Sequence, residues 1–215
     1  MTRRGAARLC GWAVPAAMAV FALFAVAVLH TPHELLPGDA ALHNWALSRQ
    51  NGVAVALSRA VTETGTGAVP FIAVISTGLS VGGTAGRRVL NAGVSGLCLG
   101  AGQALRYAVM TLIARPRPLL RDWATHASGW SFPSGHATTG AMTAGLVIAA
   151  LFLRGPRVPR LAAVLAGVWG TAVGLTRVYL GVHWFGDIVG GWLFATAWLT
   201  LIACAYLWAT REIVR

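Results

Sequence analysis

The chain has 215 residues, of which 56% are apolar and 11% are charged. A soluble domain carries about 25% charged residues, so this composition excludes an ordinary soluble enzyme, a disordered chain and a nucleic-acid-binding tail. The formal net charge is +11, and all 17 basic residues are Arg. In a chain of mean hydropathy +0.66, we interpret this excess as a signal of membrane topology, and we expect no nucleic-acid partner.

Six apolar runs approach the roughly 20 residues that a helix needs to cross the hydrocarbon core of a bilayer. We therefore predict an all-α fold, a six-helix transmembrane bundle that forms one domain over residues 1–215. The second run is short and rich in Gly and Thr, and the stretch 35–64 before it is predicted to be an interfacial or lead-in helix. The six predicted spans are 10–29, 68–83, 89–113, 137–153, 161–175 and 188–209.

The first span is longer than the 7–15 apolar residues typical of a signal peptide, so we predict a retained anchor. Small residues recur at four-residue spacing, as in Gly140/Ala144 and Gly170/Gly174, and predict close contacts between helices.

The three Cys residues all fall inside apolar runs, and we predict that they form no disulfide framework and no metal site. They are Cys10, Cys98 and Cys204.

The distribution of Arg sets the predicted orientation. With the N-terminus inside, ten of the 17 Arg residues lie on the inner side, whereas every His and five of the six acidic residues lie outside. This pattern follows the positive-inside rule. Four Arg residues fall in the outer loops, where topology disfavours positive charge, and therefore need another role. They are Arg115, Arg117, Arg121 and Arg177.

Three outward-facing segments contain nearly all the reactive side chains. They are Arg115-Pro116-Arg117-Pro118, Pro133-Ser134-Gly135-His136 and Arg177-x5-His183-x3-Asp187. Planar guanidinium groups match the oxygens of a phosphate in paired hydrogen bonds. Ser134 and the amide of Gly135 open the fourth span, where the positive end of a helix also favours an anion. The sequence therefore predicts a phosphate-binding site.

The two His residues of these segments suggest a reaction at that phosphate. Asp187 follows His183 by four residues, so it can hold one imidazole nitrogen while the other attacks. His136 is then available as an acid for the leaving oxygen. Since the Arg residues meet the developing charge, we expect phosphoryl transfer without a metal ion or other cofactor.

Taken in order, these motifs resemble the type-2 phosphatidic acid phosphatase family, a relative of class A acid phosphatases and vanadium haloperoxidases. The family pattern is Lys-x6-Arg-Pro, Pro-Ser-Gly-His and Ser-Arg-x5-His-x3-Asp, and it is matched over residues 115–187. The resemblance implies that His183 attacks phosphorus to form a phosphohistidine, that Asp187 holds His183, and that His136 protonates the leaving group. It also implies a set of phosphate-binding residues, namely Arg117, Ser134, Gly135 and Arg177.

Two positions depart from the family pattern. Thr176 replaces the Ser before Arg177, and the expected Lys is missing, because Met110 stands seven residues before Arg117. Arg106, one helical turn before Met110, is a candidate substitute. Arg115 is left with two roles, phosphate binding or contact with a lipid headgroup. The remaining outer residues are predicted to be solvated or interfacial: Arg121, Asp122, His126, His30, His33 and His43.

We therefore expect a membrane lipid phosphatase that acts on a lipid phosphate or pyrophosphate. The resemblance implies undecaprenyl pyrophosphate, phosphatidylglycerophosphate or phosphatidic acid as substrate, a bacterial plasma membrane, and an extracytoplasmic active site. One alternative mechanism uses Ser134 as the nucleophile. An alternative function is a non-catalytic protein that binds or senses phospholipid headgroups on the same frame, which the missing Lys would favour.

Overall fold

The computed structural model describes residues 3–30, 35–154 and 160–212, with side chains described from 9 to 208 within those ranges. Throughout these ranges the regular elements are helices, which confirms the all-α prediction. A short 3-10 turn, Leu120–Asp122, lies between α5 and α6. The helices are α1 (Arg3–His30), α2 (Asp39–Arg49), α3 (Gly52–Glu63), α4 (Ala68–Leu79), α5 (Ala85–Ile113), α6 (Gly135–Leu153), α7 (Arg160–Tyr179) and α8 (Phe185–Glu212).

Five helices within the described residues are long and apolar enough to cross a membrane: α1, α5, α6, α7 and α8. They correspond to five of the six predicted spans. The predicted span 68–83 is not confirmed, because α4 has only 12 residues. At 1.5 Å per residue it is about 18 Å long, well short of about 30 Å of hydrocarbon. Gly82, whose φ is 120°, lies in the bend that follows α4.

The chain nevertheless passes from one end of the bundle to the other between α1 and α5. Leu36 lies against Gly186 near the start of α8, whereas Gly82 lies against Arg87 near the start of α5, at the opposite end. Between these points α3 and α4 follow one another, separated by a short turn that contains Gly67 (φ 64°). Two short helices therefore connect the two ends where a short span, 68–83, was predicted to do so alone.

Close helix contacts hold the centre of the bundle together. A Cβ added to Gly170 on α7 would lie 2.8 Å from the carbonyl oxygen of Gly140 on α6, so the two backbones touch. This contact confirms the predicted close approach at small residues. A neighbouring apolar cluster joins α4, α5, α6 and α8, and consists of Val74, Leu99, Met142 and Ala195.

A disulfide between Cys10 and Cys204 joins α1 to α8, with a Cα–Cα distance of 5.6 Å. The prediction that the Cys residues form no disulfide was wrong. The two residues are 194 positions apart, and only the antiparallel packing of the first and last helices brings them together. Phe21 and Phe194 mark the same packing further along, with ring centroids 5.4 Å apart. Cys98 is free and buried.

Candidate active site

The three predicted segments meet at the end of the bundle where α5 and α7 end and α6 and α8 begin. They surround a cavity of about 570 Å³. Its wall is rich in positively charged and imidazole side chains drawn from α5, α6, α7 and the connecting loops. Those side chains are Arg106, Arg117, His126, His136, Arg177 and His183.

His183 and Asp187 form a buried pair, as the four-residue spacing predicted. The Nδ1 atom of His183 lies 3.2 Å from Oδ2 of Asp187, and the two residues are 1% and 0% exposed. His183 precedes α8, which begins at Phe185. The same carboxylate accepts the backbone N–H of Trp184 at 2.9 Å. Asp187 therefore caps the first turn of α8 while it orients the imidazole.

The second nitrogen of His183 faces the cavity. Arg117 donates from its Nη1 atom to Nε2 of His183 at 2.8 Å. Since a guanidinium can only donate a hydrogen bond, Nε2 of His183 is the acceptor. The ring proton is therefore on Nδ1, which donates a hydrogen bond to Asp187. Burial lowers the pKa of His183 well below 6.5, and the positive charges of Arg117, Arg177 and Arg106 lower it further. His183 is therefore neutral at neutral pH, and its Nε2 lone pair accepts the hydrogen bond of Arg117 at the cavity wall.

Arg117 also organises the loop that covers this site. Its Nε atom donates to the carbonyl of Gly129, and Nη2 donates to the carbonyls of Ser128 and Trp130. Its Nη1 atom bonds the carbonyl of Val182 as well as His183. A phosphoryl oxygen can therefore receive a hydrogen bond from Arg117 by taking the position that His183 Nε2 occupies on Nη1.

Arg177 is buried at the cavity wall without a partner for part of its guanidinium group. The residue is 3% exposed, it lines the cavity, and its Nε atom has no hydrogen-bond partner among the described residues. A buried, charged donor left unpaired is costly, so its natural complement is an anion in the cavity.

The Pro-Ser-Gly-His segment places the start of α6 at the cavity. Ser134 is the N-cap, and its hydroxyl accepts the backbone N–H of Ala137 at 3.4 Å. Gly135 and His136 line the cavity, so the positive end of the helix points at the site. Ser134 itself is fully buried and is not one of the cavity-lining residues. Its direct contact with phosphate therefore stays a prediction.

Arg106 reaches the same cavity from α5. A Cβ added to Gly135 would lie 3.5 Å from the Cζ atom of Arg106, which places the guanidinium against the start of α6. Its Nη1 atom lies 3.1 Å from the sulfur of Met110, the residue at the position of the missing Lys. The sequence raised Arg106 as a candidate, and the fold brings it beside the other two cavity Arg residues.

Arg115 takes neither of its two predicted roles. It is 5% exposed, and it donates to Asp187 Oδ1 and to Asp39 Oδ2 at 2.6 Å each. A buried guanidinium needs carboxylate partners, and here the fold supplies two. Sequence reasoning missed Asp39, whose only local signal was an acidic residue at the start of a moderately apolar stretch.

His43 and Asp122 were predicted to be interfacial and solvated, and this was wrong. His43 is 5% exposed, and its Nε2 atom lies 3.1 Å from Oδ2 of Asp122. Its ring also packs against Trp184, with centroids 5.1 Å apart. Arg121 is solvated as predicted, with 80% of its side chain exposed. The prediction for His33 lies outside the described residues.

No group of three or more His, Cys, Asp or Glu side chains that could hold a metal ion occurs within the described ranges. The chemistry available from these residues is the binding of an anion by Arg106, Arg117 and Arg177, with the neutral imidazole of His183 and a second imidazole, His136, in the wall of the same cavity.

Comparison with known proteins bears on this geometry. A model of the PAP2 superfamily matches residues 91–211. Phosphatidylglycerophosphatase B of Bacillus subtilis (strain 168) is 28% identical over 184 residues, covering 82% of this chain and 87% of that protein. Undecaprenyl-diphosphatase of Sulfolobus acidocaldarius is 31% identical over 96 residues, covering 43% of this chain and 37% of that protein.

A solved structure shares the fold. The crystal structure of a transmembrane PAP2 type phosphatidylglycerolphosphate phosphatase from Bacillus subtilis superposes with a TM-score of 0.75 at 23% identity. The match covers 95% of this chain and 98% of that one. Together with the five long apolar helices, this fold is that of an integral membrane protein.

Proposed function

The chain belongs to the PAP2 superfamily, and on that premise we propose that it is a metal-independent lipid phosphatase that works through a phosphohistidine on His183. The observation that carries the proposal is the buried Arg177, whose Nε atom has no hydrogen-bond partner among the described residues and which lines a cavity beside a neutral, carboxylate-held imidazole. The guanidinium of Arg177, which has no carboxylate partner among the described residues, supports an anion-binding site. The imidazole of His183, which Asp187 orients, supports a nucleophilic reaction at the bound anion.

In the first step, Nε2 of His183 attacks phosphorus, and the P–O bond to the lipid oxygen breaks. Arg117 exchanges its contact with Nε2 for a phosphoryl oxygen, while Arg177, Arg106 and the start of α6 at Gly135 bind the others. The leaving oxygen takes a proton from His136. Asp187 stabilises the positive charge that develops on the phosphorylated ring.

In the second step, water attacks phosphorus and His136 accepts its proton. The P–N bond breaks, inorganic phosphate leaves, and His183 returns to its neutral form. The burial of His183 and the loop held by Arg117 keep bulk water away from the nucleophile until the lipid product has left. The role of Ser134 is to cap α6 and so to hold the amides of that first turn toward the phosphate.

Arg106 supplies the third cation in this proposal. The family Lys is replaced by Met110, but the guanidinium of Arg106 lies against Gly135 and can reach an anion bound there. The missing Lys was the feature that favoured a non-catalytic lipid-binding protein. With a cation restored to the cavity and with both His residues in place, the enzyme is the better account.

Phosphatidylglycerophosphate is the first substrate to test, because the relative named for it matches most of both chains. Undecaprenyl pyrophosphate and phosphatidic acid are the other candidates. We further place the site on the extracytoplasmic side of a bacterial plasma membrane, with α3 and α4 together making the sixth crossing.

The test is phosphate release by the purified protein in detergent with EDTA present, using these three lipids. His183→Ala should abolish release, whereas His30→Ala, which changes an exposed imidazole outside the cavity, should not. An acid-labile phosphoprotein in the wild type supports His183 as nucleophile, and an acid-stable one supports Ser134. A folded wild-type protein that binds the lipids but releases no phosphate contradicts the proposal.

A further inference from the structure

A buried network of three charged residues lies behind His183. Arg115 donates from Nη1 to Oδ1 of Asp187 and from Nη2 to Oδ2 of Asp39, each at 2.6 Å. Both carboxylates are fully buried and Arg115 is 5% exposed. Because Asp187 uses its other oxygen to accept from His183, the network continues to the imidazole.

The geometry around Asp39 is fixed by the backbone of two other segments. Its Oδ1 atom accepts the backbone N–H of Gly186 at 2.7 Å, and Oδ2 accepts that of Leu36 at 3.1 Å. A Cβ added to Gly186 would lie 2.8 Å from the side chain of Leu36 and 3.3 Å from Oδ1 of Asp39, so Gly makes this close approach easiest. Asp39 is thus held against the residue that directly precedes Asp187.

Charge balance explains why a second carboxylate is needed. Burial lowers the pKa of Arg115, but the carboxylates of Asp187 and Asp39 outweigh it and raise the pKa above its ordinary value. Arg115 is therefore always charged and would by itself cancel the charge of Asp187. With Asp39 present, the three residues carry a net charge of −1.

That net charge matters when His183 reacts. Attack through Nε2 leaves the ring positively charged with a proton on Nδ1, and a buried positive charge needs a net negative partner close by. We propose that Asp39 is a positioning residue, which offsets the charge of Arg115 so that Asp187 retains a net negative charge toward His183. This inference rests on the proposed phosphohistidine mechanism.

The experiment compares three variants of the full-length protein in detergent, with phosphatidylglycerophosphate as probe. Asp39→Asn keeps the shape but removes the offsetting charge, and kcat is expected to fall about 10- to 100-fold with KM within about twofold of wild type. The double variant Asp39→Asn/Arg115→Gln restores the net charge of −1 on Asp187. It is expected to be at least tenfold faster than Asp39→Asn. Asp122→Asn, an acid at the same end of the bundle but outside the network, is the matched control and should stay within twofold of wild type.

The double variant separates a charge effect from a structural one. If Asp39 only supported the fold, a second substitution in the same buried network would make the protein slower still. A double variant no faster than Asp39→Asn, or an Asp39→Asn protein within twofold of wild type, overturns the proposal. If Asp39→Asn alone does not fold, as judged by gel filtration, the double variant is compared with wild type and must reach at least a tenth of its kcat.

A second readout does not depend on activity. In protein labelled with nitrogen-15 histidine, the Nδ1–H signal of His183, identified by its loss in His183→Gln, reports the hydrogen bond to Asp187. It should move upfield in Asp39→Asn and return in the double variant. A wild-type protein that releases no phosphate from any of the three lipids would defeat the proposed function, whereas an unmoved signal would defeat the role of Asp39.

Discussion

At the scale of single residues, the site combines groups that hold one another in place. Asp187 orients His183 and caps α8, and Arg117 fixes a loop while it donates a hydrogen bond to Nε2 of His183. Arg177 and Arg106 differ from Arg117 because neither has a backbone carbonyl or a carboxylate as a hydrogen-bond partner among the described residues. We therefore expect these two guanidinium groups to gain the most hydrogen bonds when phosphate binds.

The contribution of Arg106 can be tested by moving the cation along α5. Arg106→Ala removes a charge-assisted hydrogen bond worth about 1.5–3 kcal/mol, so kcat/KM should fall about 10- to 100-fold. Met110→Lys in the same protein places a cation at the family position and should restore most of the loss. The measurement is phosphate release, with the exposed Arg121→Ala as control. A variant Arg106→Ala with wild-type kcat/KM would exclude Arg106 from phosphate binding.

The pH dependence should reflect the neutral state of His183. Its neighbours are the cations Arg117, Arg177 and Arg106, together with Asp187 and the imidazole of His136. Burial and the three cations hold its pKa below 6.5. Because attack requires the neutral ring, kcat/KM should stay level as pH falls through 6.5 and should decline only below that value.

The same shift has a consequence for stability. In the unfolded chain His183 takes up a proton near pH 6.5, whereas in the folded protein it does not, so its contribution to stability is lost as pH falls below 6.5. His183→Gln should therefore show a weaker loss of thermal stability between pH 6.5 and pH 5 than wild type. An equal loss of thermal stability in the two proteins would contradict the lowered pKa of His183. So would a wild-type kcat/KM that already declines as pH falls toward 6.5.

At the scale of elements, backbone contacts between α6 and α7 set the position of Arg177 relative to the start of α6. Gly140 and Gly170 allow these helices to touch, and Arg177 lies two turns beyond Gly170 on α7. The break between α3 and α4 has a comparable effect, because it brings Thr66 and Gly67 to the cavity wall. Short helices and small residues thus shape a polar cavity inside an apolar bundle.

The contact between α6 and α7 gives a matched pair of substitutions on one helix. Gly170→Ala would place a Cβ 2.8 Å from the backbone oxygen of Gly140, whereas nothing lies within 4 Å of a Cβ at Gly167. Gly170→Ala should lower the free energy of unfolding by about 1–3 kcal/mol, and Gly167→Ala should leave it unchanged or raise it. Thermal unfolding in detergent measures both, and equal effects at the two positions would contradict the close contact.

At the scale of the whole molecule, the arrangement of charge and the direction of the helices point the site toward one side of the membrane. Of the five long helices, α1, α5 and α7 run toward the reactive end and α6 and α8 run away from it, and α3 with α4 connects the two ends between α1 and α5. If α1 spans the bilayer, its N-terminal end and the reactive end lie on opposite sides of the membrane. By the positive-inside rule we expect the Arg-rich loops at the other end to face the cytoplasm.

The orientation can be measured by cysteine labelling in intact cells. In a protein whose three native Cys residues are replaced by Ala, Arg121→Cys at the reactive end should react with a membrane-impermeant maleimide. Arg88→Cys at the opposite end should react only after the cells are broken. The reverse pattern would place the reactive end in the cytoplasm.

The membrane character of this protein was predictable from its sequence alone, and so were most of the Arg and His side chains that line the cavity. Hydropathy reports the long spans because each must satisfy the bilayer alone. His183 and Asp187 are close in sequence, and they meet where the loop after α7 enters the first turn of α8. Of the cavity residues, the order of motifs also predicted Arg117, Gly135, His136 and Arg177.

The pairing of residues that are distant in the sequence depended on the packing of the helices. Arg115 meets Asp39 across 76 positions, His43 meets Asp122 across 79, and Cys10 meets Cys204 across 194. No local pattern encodes such pairs, because each depends on how separate helices pack. The reach of Arg106 to Gly135 was decided in the same way, by contacts between helices that hydropathy and motif spacing do not record.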